Sequence, residues 1–196
     1  AGPRNRFTIL TDKGPIIVHN CGYGMSAAKF RAQLKTFGVE VSEEESQIII
    51  RTYRETYPKI PALWRTAQQV IDYMVKGGNV PIGPEGVVKV VAKNNAIRLP
   101  SGLHLQYPQL RAQYAGEKLE YAYKSRNGMT RIYGGKLVEN LCQAVARCVI
   151  GEQMIKVAKK YEVVLTVHDS IVCMAPVEEA EEAAAFVEEC MRWVPE

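Results

Sequence analysis

The sequence lacks the hallmarks of a disulfide or zinc framework. Its five cysteines, Cys21, Cys142, Cys148, Cys173 and Cys190, are odd in number and irregular in spacing, with no Cys-x-x-Cys pair. That pattern excludes a small cross-linked scaffold and a structural zinc site, and it points to a reducing, cytosolic compartment. Long apolar runs are also missing. None approaches the roughly 20 residues needed to span a bilayer, and the amino terminus lacks the continuous hydrophobic region of a secretory signal, so no membrane partner is expected. Internal repeats and low-complexity linkers are absent too. What remains is 196 residues, enough for one core or for one lobe of a larger protein.

Charge is unevenly placed. The net value is +4, but residues Val177 to Glu196 hold seven acids and a single Arg, leaving fourteen acids against twenty-four bases in the rest. A basic body with an acidic end suits a polyanionic partner. It is equally compatible with an ordinary solvated surface.

Local patterns predict an α+β chain. Arg6–Thr11 and Ile16–His19 read as two short strands around a Gly-Pro turn. Met25, Ala28, Phe30 and Leu34 recur at helical spacing up to Gly38. Ser42 with Glu45 forms a capping box that opens a helix through Ile48, Ile49 and Tyr53. A further helix starts near Pro61, carries Leu63, Trp64, Ala67, Val70, Ile71 and Met74 inward, and ends at Gly77-Gly78. Residues 87–92 and 96–99 read as strands. Leu119–Lys124 and Met129–Tyr133 read as a hairpin turning at Asn127-Gly128 in type I′ geometry. A long helix spans about Lys136–Lys160, with Leu137, Leu141, Ala144, Val145 and Cys148 as its buried stripe. Val163–Val167 and Ile171–Met174 then form a tight hairpin with His168-Asp169-Ser170 at its tip, and a last helix follows Pro176. Its early glutamates complement the positive helix end. Helices, antiparallel strands, a long helix, a hairpin and a closing helix make an α+β architecture.

The hairpin tip is the first candidate site. Hard divalent ions such as magnesium prefer carboxylate oxygens, often one or two from protein with the rest from phosphates and water. An aspartate presented on a hairpin that cannot slip suits that chemistry, although Asp is also a common turn former and the tripeptide alone reads as a turn. Val167-His168-Asp169-Ser170 resembles motif C of family A DNA polymerases, usually His-Asp-Glu. The resemblance implies that Asp169 binds the catalytic Mg2+ ions and that His168 lies against the primer terminus. Ser170 stands in place of the usual glutamate and is given no metal role.

Arg131-Ile-Tyr-Gly-Gly-Lys-Leu-Val-Glu-Asn-Leu-Cys-Gln-Ala-Val-Ala-Arg147 carries a polar ridge of Glu139, Gln143 and Arg147, four residues apart. Periodicity by itself makes this a solvated ridge. The stretch is similar to the phage-type polymerase helix that precedes motif C and lies along the nascent duplex. That resemblance implies DNA contacts by Arg131, Lys136, Glu139, Asn140 and Gln143, suited to the degenerate acceptors of the minor groove. Gly22-Tyr23-Gly24-Met25-Ser26 resembles the second half of motif B, which implies that Tyr23 lines the pocket for the nascent base pair.

Val18-His19-Asn20-Cys21 carries a different chemistry. An Asn side-chain amide can attack its own backbone carbonyl if the leaving group is protonated, a task for His19. Cys21 offers a thiol nucleophile on the downstream side. Residues 1–20 resemble the carboxy-terminal end of inteins in phage polymerase genes, and the junction falls within motif B.

Together these resemblances imply residues 1–20 as an intein segment, 21–78 as helical fingers, and 79–196 as a palm portion built on an antiparallel sheet. The activity implied is template-directed DNA synthesis by two-metal nucleotidyl transfer. The partners implied are primer–template DNA, deoxynucleoside triphosphates, a missing amino-terminal polymerase portion with its motif A aspartate, and an amino-terminal intein half. The setting implied is the cytoplasm of a phage-infected or prophage-bearing bacterium. With a single metal carboxylate, the chain alone is not expected to polymerise. Two other readings stand beside this one, a trans-splicing partner and a nucleic-acid-binding module without catalysis.

Overall fold

The computed structural model describes residues 6–11, 14–19, 24–78, 81–82, 88–91 and 95–194, with 6–19 and 81–91 described by backbone alone. The elements run β1 (Arg6–Thr11), β2 (Gly14–His19), α1 (Ala27–Thr36), α2 (Glu43–Thr56), α3 (Lys59–Lys76), β3 (Pro81–Ile82), β4 (Val88–Val91), β5 (Ala96–Arg98), β6 (His104–Gln106), β7 (Arg111–Ala115), β8 (Lys118–Ser125), β9 (Gly128–Ile132), α4 (Gly134–Val157), β10 (Glu162–Val167), β11 (Ser170–Met174) and α5 (Ala180–Arg192). This is a mixture of helices and small antiparallel sheets, compatible with the α+β class. No helix among the described residues is long and apolar enough to cross a membrane. The chain divides into two units, Ala1–Arg98 with His104–Leu141, and Leu99–Leu103 with Cys142–Glu196.

In the first unit, β1 and β2 pair only with each other among the described residues. Thr11 lies opposite Gly14 and Leu10 opposite Pro15, so Gly14 and Pro15 belong to β2 rather than to the expected Gly-Pro turn. Proline is tolerated there because each strand of a two-stranded ribbon has a free edge.

The three helices follow from their caps. The Ser26 hydroxyl accepts from the Lys29 N–H at 3.3 Å and starts α1. Ser42 and Glu45 form the reciprocal capping box of α2, with bonds of 3.1 Å and 2.7 Å, and Glu43 and Glu44 add favourable charge to the first turn. Gly77, in the left-handed region at φ 80°, ends α3. Phe30 and Leu34 sit four residues apart on α1 and bury against Val41, Ile49, Ile50 and Tyr53, while Ile48 turns to solvent. On α3, Ala67, Val70, Ile71 and Met74 enter a second cluster with Ile97, Tyr107, Leu110, Tyr121, Ile132, Leu137 and Val138. Half-buried Trp64 packs against both clusters. Leu63, expected inward, is 40% exposed, because the buried stripe of α3 begins only at Ala67.

Two sheets complete this unit, β3-β4-β5-β6 and β7-β8-β9, each antiparallel and in sequence order. The β8–β9 turn differs from the expected type I′. Ser125 pairs with Gly128, so Arg126 and Asn127 occupy the turn, and the positive φ falls on Gly128 at 106°. A type I′ turn needs positive φ at both central residues, and neither has it here.

In the second unit, the distal part of α4 buries Ile150, Gln153 and Val157. The Gln153 amide donates to the carbonyls of Met191 (2.8 Å) and Trp193 (2.9 Å), satisfying acceptors that the end of α5 leaves open. Tyr161 meets Phe186 edge-on at 5.8 Å. β10 and β11 form a two-stranded ribbon whose register shifts between Val163 and Leu165, a bulge that leaves Val164 without an opposite residue.

Candidate nucleic-acid interface

The tip of the β10–β11 ribbon is set by its register. Val167 pairs with Ser170, leaving His168 and Asp169 as a two-residue loop. His168 takes φ 54°, a left-handed conformation in which His, Asn and Asp are enriched among non-glycine residues. Asp169 is exposed, and no hydrogen bond or ion pair engages its carboxylate among the described residues. A free carboxylate on a register-locked turn fits one ligand position of a magnesium shell. Among the described residues, no three His, Cys, Asp or Glu side chains gather to complete such a shell.

The polar residues singled out around the start of α4 are mostly engaged. Arg131 on β9 pairs with Glu120 on β8 at 2.9 Å, two residues diagonally along the same sheet face. Lys136 pairs with Glu139 at 2.9 Å, one turn away. Asn140 donates to the Tyr107 hydroxyl at 3.3 Å. Burial pushes the Tyr107 phenol well above its ordinary range, so it stays neutral and offers its oxygen to the amide. Gln143 and Arg147, on the same helical ridge, are exposed. The sequence reading missed Glu120 and Tyr107, because their partners lie in other elements and no local pattern signals them.

Entry into α4 requires glycine. A Cβ on Gly134 would stand 1.9 Å from the Trp64 carbonyl oxygen and 2.9 Å from the Gln68 nitrogen. The Gly134 N–H donates to the Gln68 side chain at 2.9 Å. The first turn of α4 is thus seated directly on the backbone of α3.

A cleft of about 660 Å³ opens beside this seat, lined among others by Gly24, Lys29, Gln68, Asp72, Arg131 and Tyr133. A neighbouring hollow of about 440 Å³ shares Gly24, Gln68 and Tyr133 and adds Arg54 and Arg65. Gly24 needs to be glycine for its φ of 83°; a Cβ there would meet the Tyr133 ring at an ordinary 3.6 Å. Arg54 is tethered, donating to the Met25 carbonyl at 3.1 Å and lying 5.6 Å over the Trp64 ring. On the cleft wall, Tyr121 donates to Asp72. Desolvation first, and the Asp72 carboxylate second, push its phenol up to about 12. Tyr23, Asn20 and Cys21 lie outside the described residues, and His19 is the last residue of β2.

No family model matches the sequence, and no solved structure matches it. Among curated proteins, the chain is 26% identical over 197 residues to a protein named DNA polymerase from Bacillus phage SP02. The alignment covers 94% of this chain but 30% of that protein, so the chain spans less than a third of that relative's length. The sequence is therefore distantly similar to a phage DNA polymerase.

Proposed function

We propose that the chain is the carboxy-terminal fingers-and-palm portion of a family A DNA polymerase. In this reading it extends a primer by nucleotidyl transfer, and it acts together with an amino-terminal portion that supplies a second carboxylate. One observation carries the proposal: the exposed, unpaired Asp169 carboxylate at a two-residue turn of an antiparallel ribbon, in a chain distantly similar to a DNA polymerase.

The roles follow from what each group can do. Asp169 offers one carboxylate toward Mg2+, with the remaining oxygens drawn from water, triphosphate and the other polymerase portion. When bound, the metal neutralises charge on the attacking and leaving oxygens of phosphoryl transfer. His168, beside it, would meet the primer terminus. Along α4, Asn140, Gln143 and Arg147 present amide and guanidinium donors suited to the minor-groove acceptors shared by every base pair. Arg131 has five N–H donors, so its pairing with Glu120 leaves others for a phosphate. Lys136 and Glu139 hold each other in place, and Tyr23 is assigned to the nascent base pair. Residues 21–78 would form the fingers and 79–196 the palm.

A second reading concerns residues 1–20. The β1–β2 ribbon pairs with no other strand among the described residues and ends at His19, which supports a separate carboxy-terminal intein segment. The Asn20 amide nitrogen would attack its own carbonyl carbon and close a succinimide. The peptide bond to Cys21 breaks, and the proton supplied through His19 goes to the departing amine.

The deciding experiment is primer extension by the chain joined to its amino-terminal portion. Asp169→Asn keeps the shape and removes the charge. The expected loss is at least about 100-fold in rate, the scale on which single charge-stabilising groups act. An Asp169→Asn enzyme of ordinary activity would refute the polymerase assignment.

A further inference from the structure

The sheet β7-β8-β9 has one face that α4 leaves unexplained, and Lys118, Glu120 and Arg131 on that face border the cleft of about 660 Å³. Register fixes its membership. Arg111, Ala122 and Arg131 lie side by side across the three strands, and Gln113 lies opposite Glu120. Side chains alternate along a strand, so Lys118 and Lys124 stand on the same face of β8 as Glu120 and Ala122. The opposite face carries Tyr121 and Ile132 into the core. Four cations thus share a sheet face with one acid, and that acid is already paired with Arg131. Arg111, Lys118 and Lys124 are exposed and have no ion-pair partner among the described residues. In the two turns, Glu117 and Arg126 offset each other.

The ordinary explanation for cations on a small sheet is protection of an exposed edge. It can account for Arg111, which stands on edge strand β7. Lys118 is paired only on the β7 side, opposite Ala115, and Lys124 only on the β9 side, opposite Met129; edge protection reaches them too, but it asks only for a charge at an open edge and does not explain why all three unpaired cations share one face. Lys118 and Lys124 lie six residues apart, about 20 Å along an extended strand. Over that length, duplex DNA carries about a dozen backbone charges. The sheet is two strands wide at each lysine and three strands wide at Tyr121 and Ala122, and its excess positive charge matches that surface in sign and length.

We infer that the Arg111–Lys118–Lys124 face of β7-β8-β9 binds the phosphate backbone of duplex DNA, as a contact surface additional to the α4 ridge. The inference rests on the polymerase reading and deepens it, adding a sequence-independent hold on the primer–template. Phosphate contacts fix position and carry no base information.

The test is fluorescence anisotropy of the full chain on a labelled primer–template duplex across a salt series. Each released phosphate contact contributes about 0.9 to the slope of log affinity against log salt. The triple variant Arg111→Ala, Lys118→Ala, Lys124→Ala is therefore expected to bind with a slope shallower by about 2.7. A Lys118→Arg, Lys124→Arg variant keeps the wild-type slope, since charge rather than packing is being read. Circular dichroism and melting monitor the fold of both variants. A triple variant that keeps the wild-type slope overturns the inference, as does one that loses affinity equally at every salt concentration. A wild-type chain that binds no duplex at all sinks the polymerase reading itself, and so tells the two failures apart.

Discussion

A single helix offers two glycines whose replacement should act in opposite directions. Gly134 and Gly151 both lie in α4. At Gly134, an alanine methyl would stand 1.9 Å from the Trp64 carbonyl oxygen, against the 3.4 Å at which ordinary contact begins, so α4 must retreat by about 1.5 Å. The obstacle is backbone within α3, which cannot swing aside as a flexible side chain could. Overpacking of this kind costs about 1–3 kcal/mol, and weakening the half-buried bond from Gly134 to Gln68 adds about 1 kcal/mol. The sum is about 2–4 kcal/mol, or a fall of about 5–15 °C in melting temperature for a chain of this size. At Gly151 nothing lies within 4 Å of the added methyl. There the higher helix propensity of alanine should stabilise by about 0.5–1 kcal/mol. Urea titration of both variants reads the shift in midpoint at constant slope. A Gly134→Ala protein as stable as the wild type would refute the close seating of α4 on α3.

Tyr121 makes a pH-dependent prediction. Its phenol is raised to about 12 in the folded state from the ordinary 10.0 of a free tyrosine, so the unfolded chain releases that proton first. Stability linked to the neutral phenol is fully present below pH 10 and is lost as pH rises toward 12. Tyr121→Phe should flatten the loss across that window in alkaline melts, and an unchanged alkaline slope would contradict the linkage. For the junction, mixing the chain with a candidate amino-terminal half should yield a ligated product by mass, and Asn20→Ala should block release at the Asn20–Cys21 bond. Ligation that survives Asn20→Ala would refute the assignment of Asn20. Primer extension by the isolated chain, with no other polymerase portion present, is expected to be undetectable; activity there would show that Asp169 needs no second carboxylate.

How much was legible depended on whether the signal was local. The Ser42–Glu45 capping box and the glycine stops at Gly38 and Gly77 are set by residues a few positions apart, and each stands where its pattern indicated; the expected tip His168-Asp169-Ser170 is one residue shorter, because Ser170 pairs with Val167 as the first residue of β11. The strand β7 was not legible. Arg111-Ala-Gln-Tyr-Ala115 alternates polar and apolar over only four residues and buries none of the five, so pairing with β8 is what makes it a strand. The Asn127-Gly128 pair signalled a turn, but the sheet register moved the turn one residue earlier. Of the expected α4 stripe only Leu137 is fully buried, Leu141, Ala144, Val145 and Cys148 being half-buried, while Val138, Ile150 and Val157, buried by tertiary neighbours, lay outside it. The site divides the same way. The exposure of Asp169 could be inferred from its turn, whereas the tethering of Asn140 by Tyr107 and of Arg131 by Glu120 arises from strands far along the chain.

The unopposed Val164 has a consequence for how the β10–β11 arm can vary in length. Side chains on a strand reverse direction at every residue, so the parity of the count between the ribbon's base and its tip decides which way the acidic tip looks. Adding or removing one residue on either arm would turn that tip over, whereas adding two would only carry it further out. The bulge is the one place in the ribbon where an odd residue is already accommodated. Homologous ribbons that differ in length by an odd number should therefore differ at the position of Val164, with the tip aimed the same way in all of them.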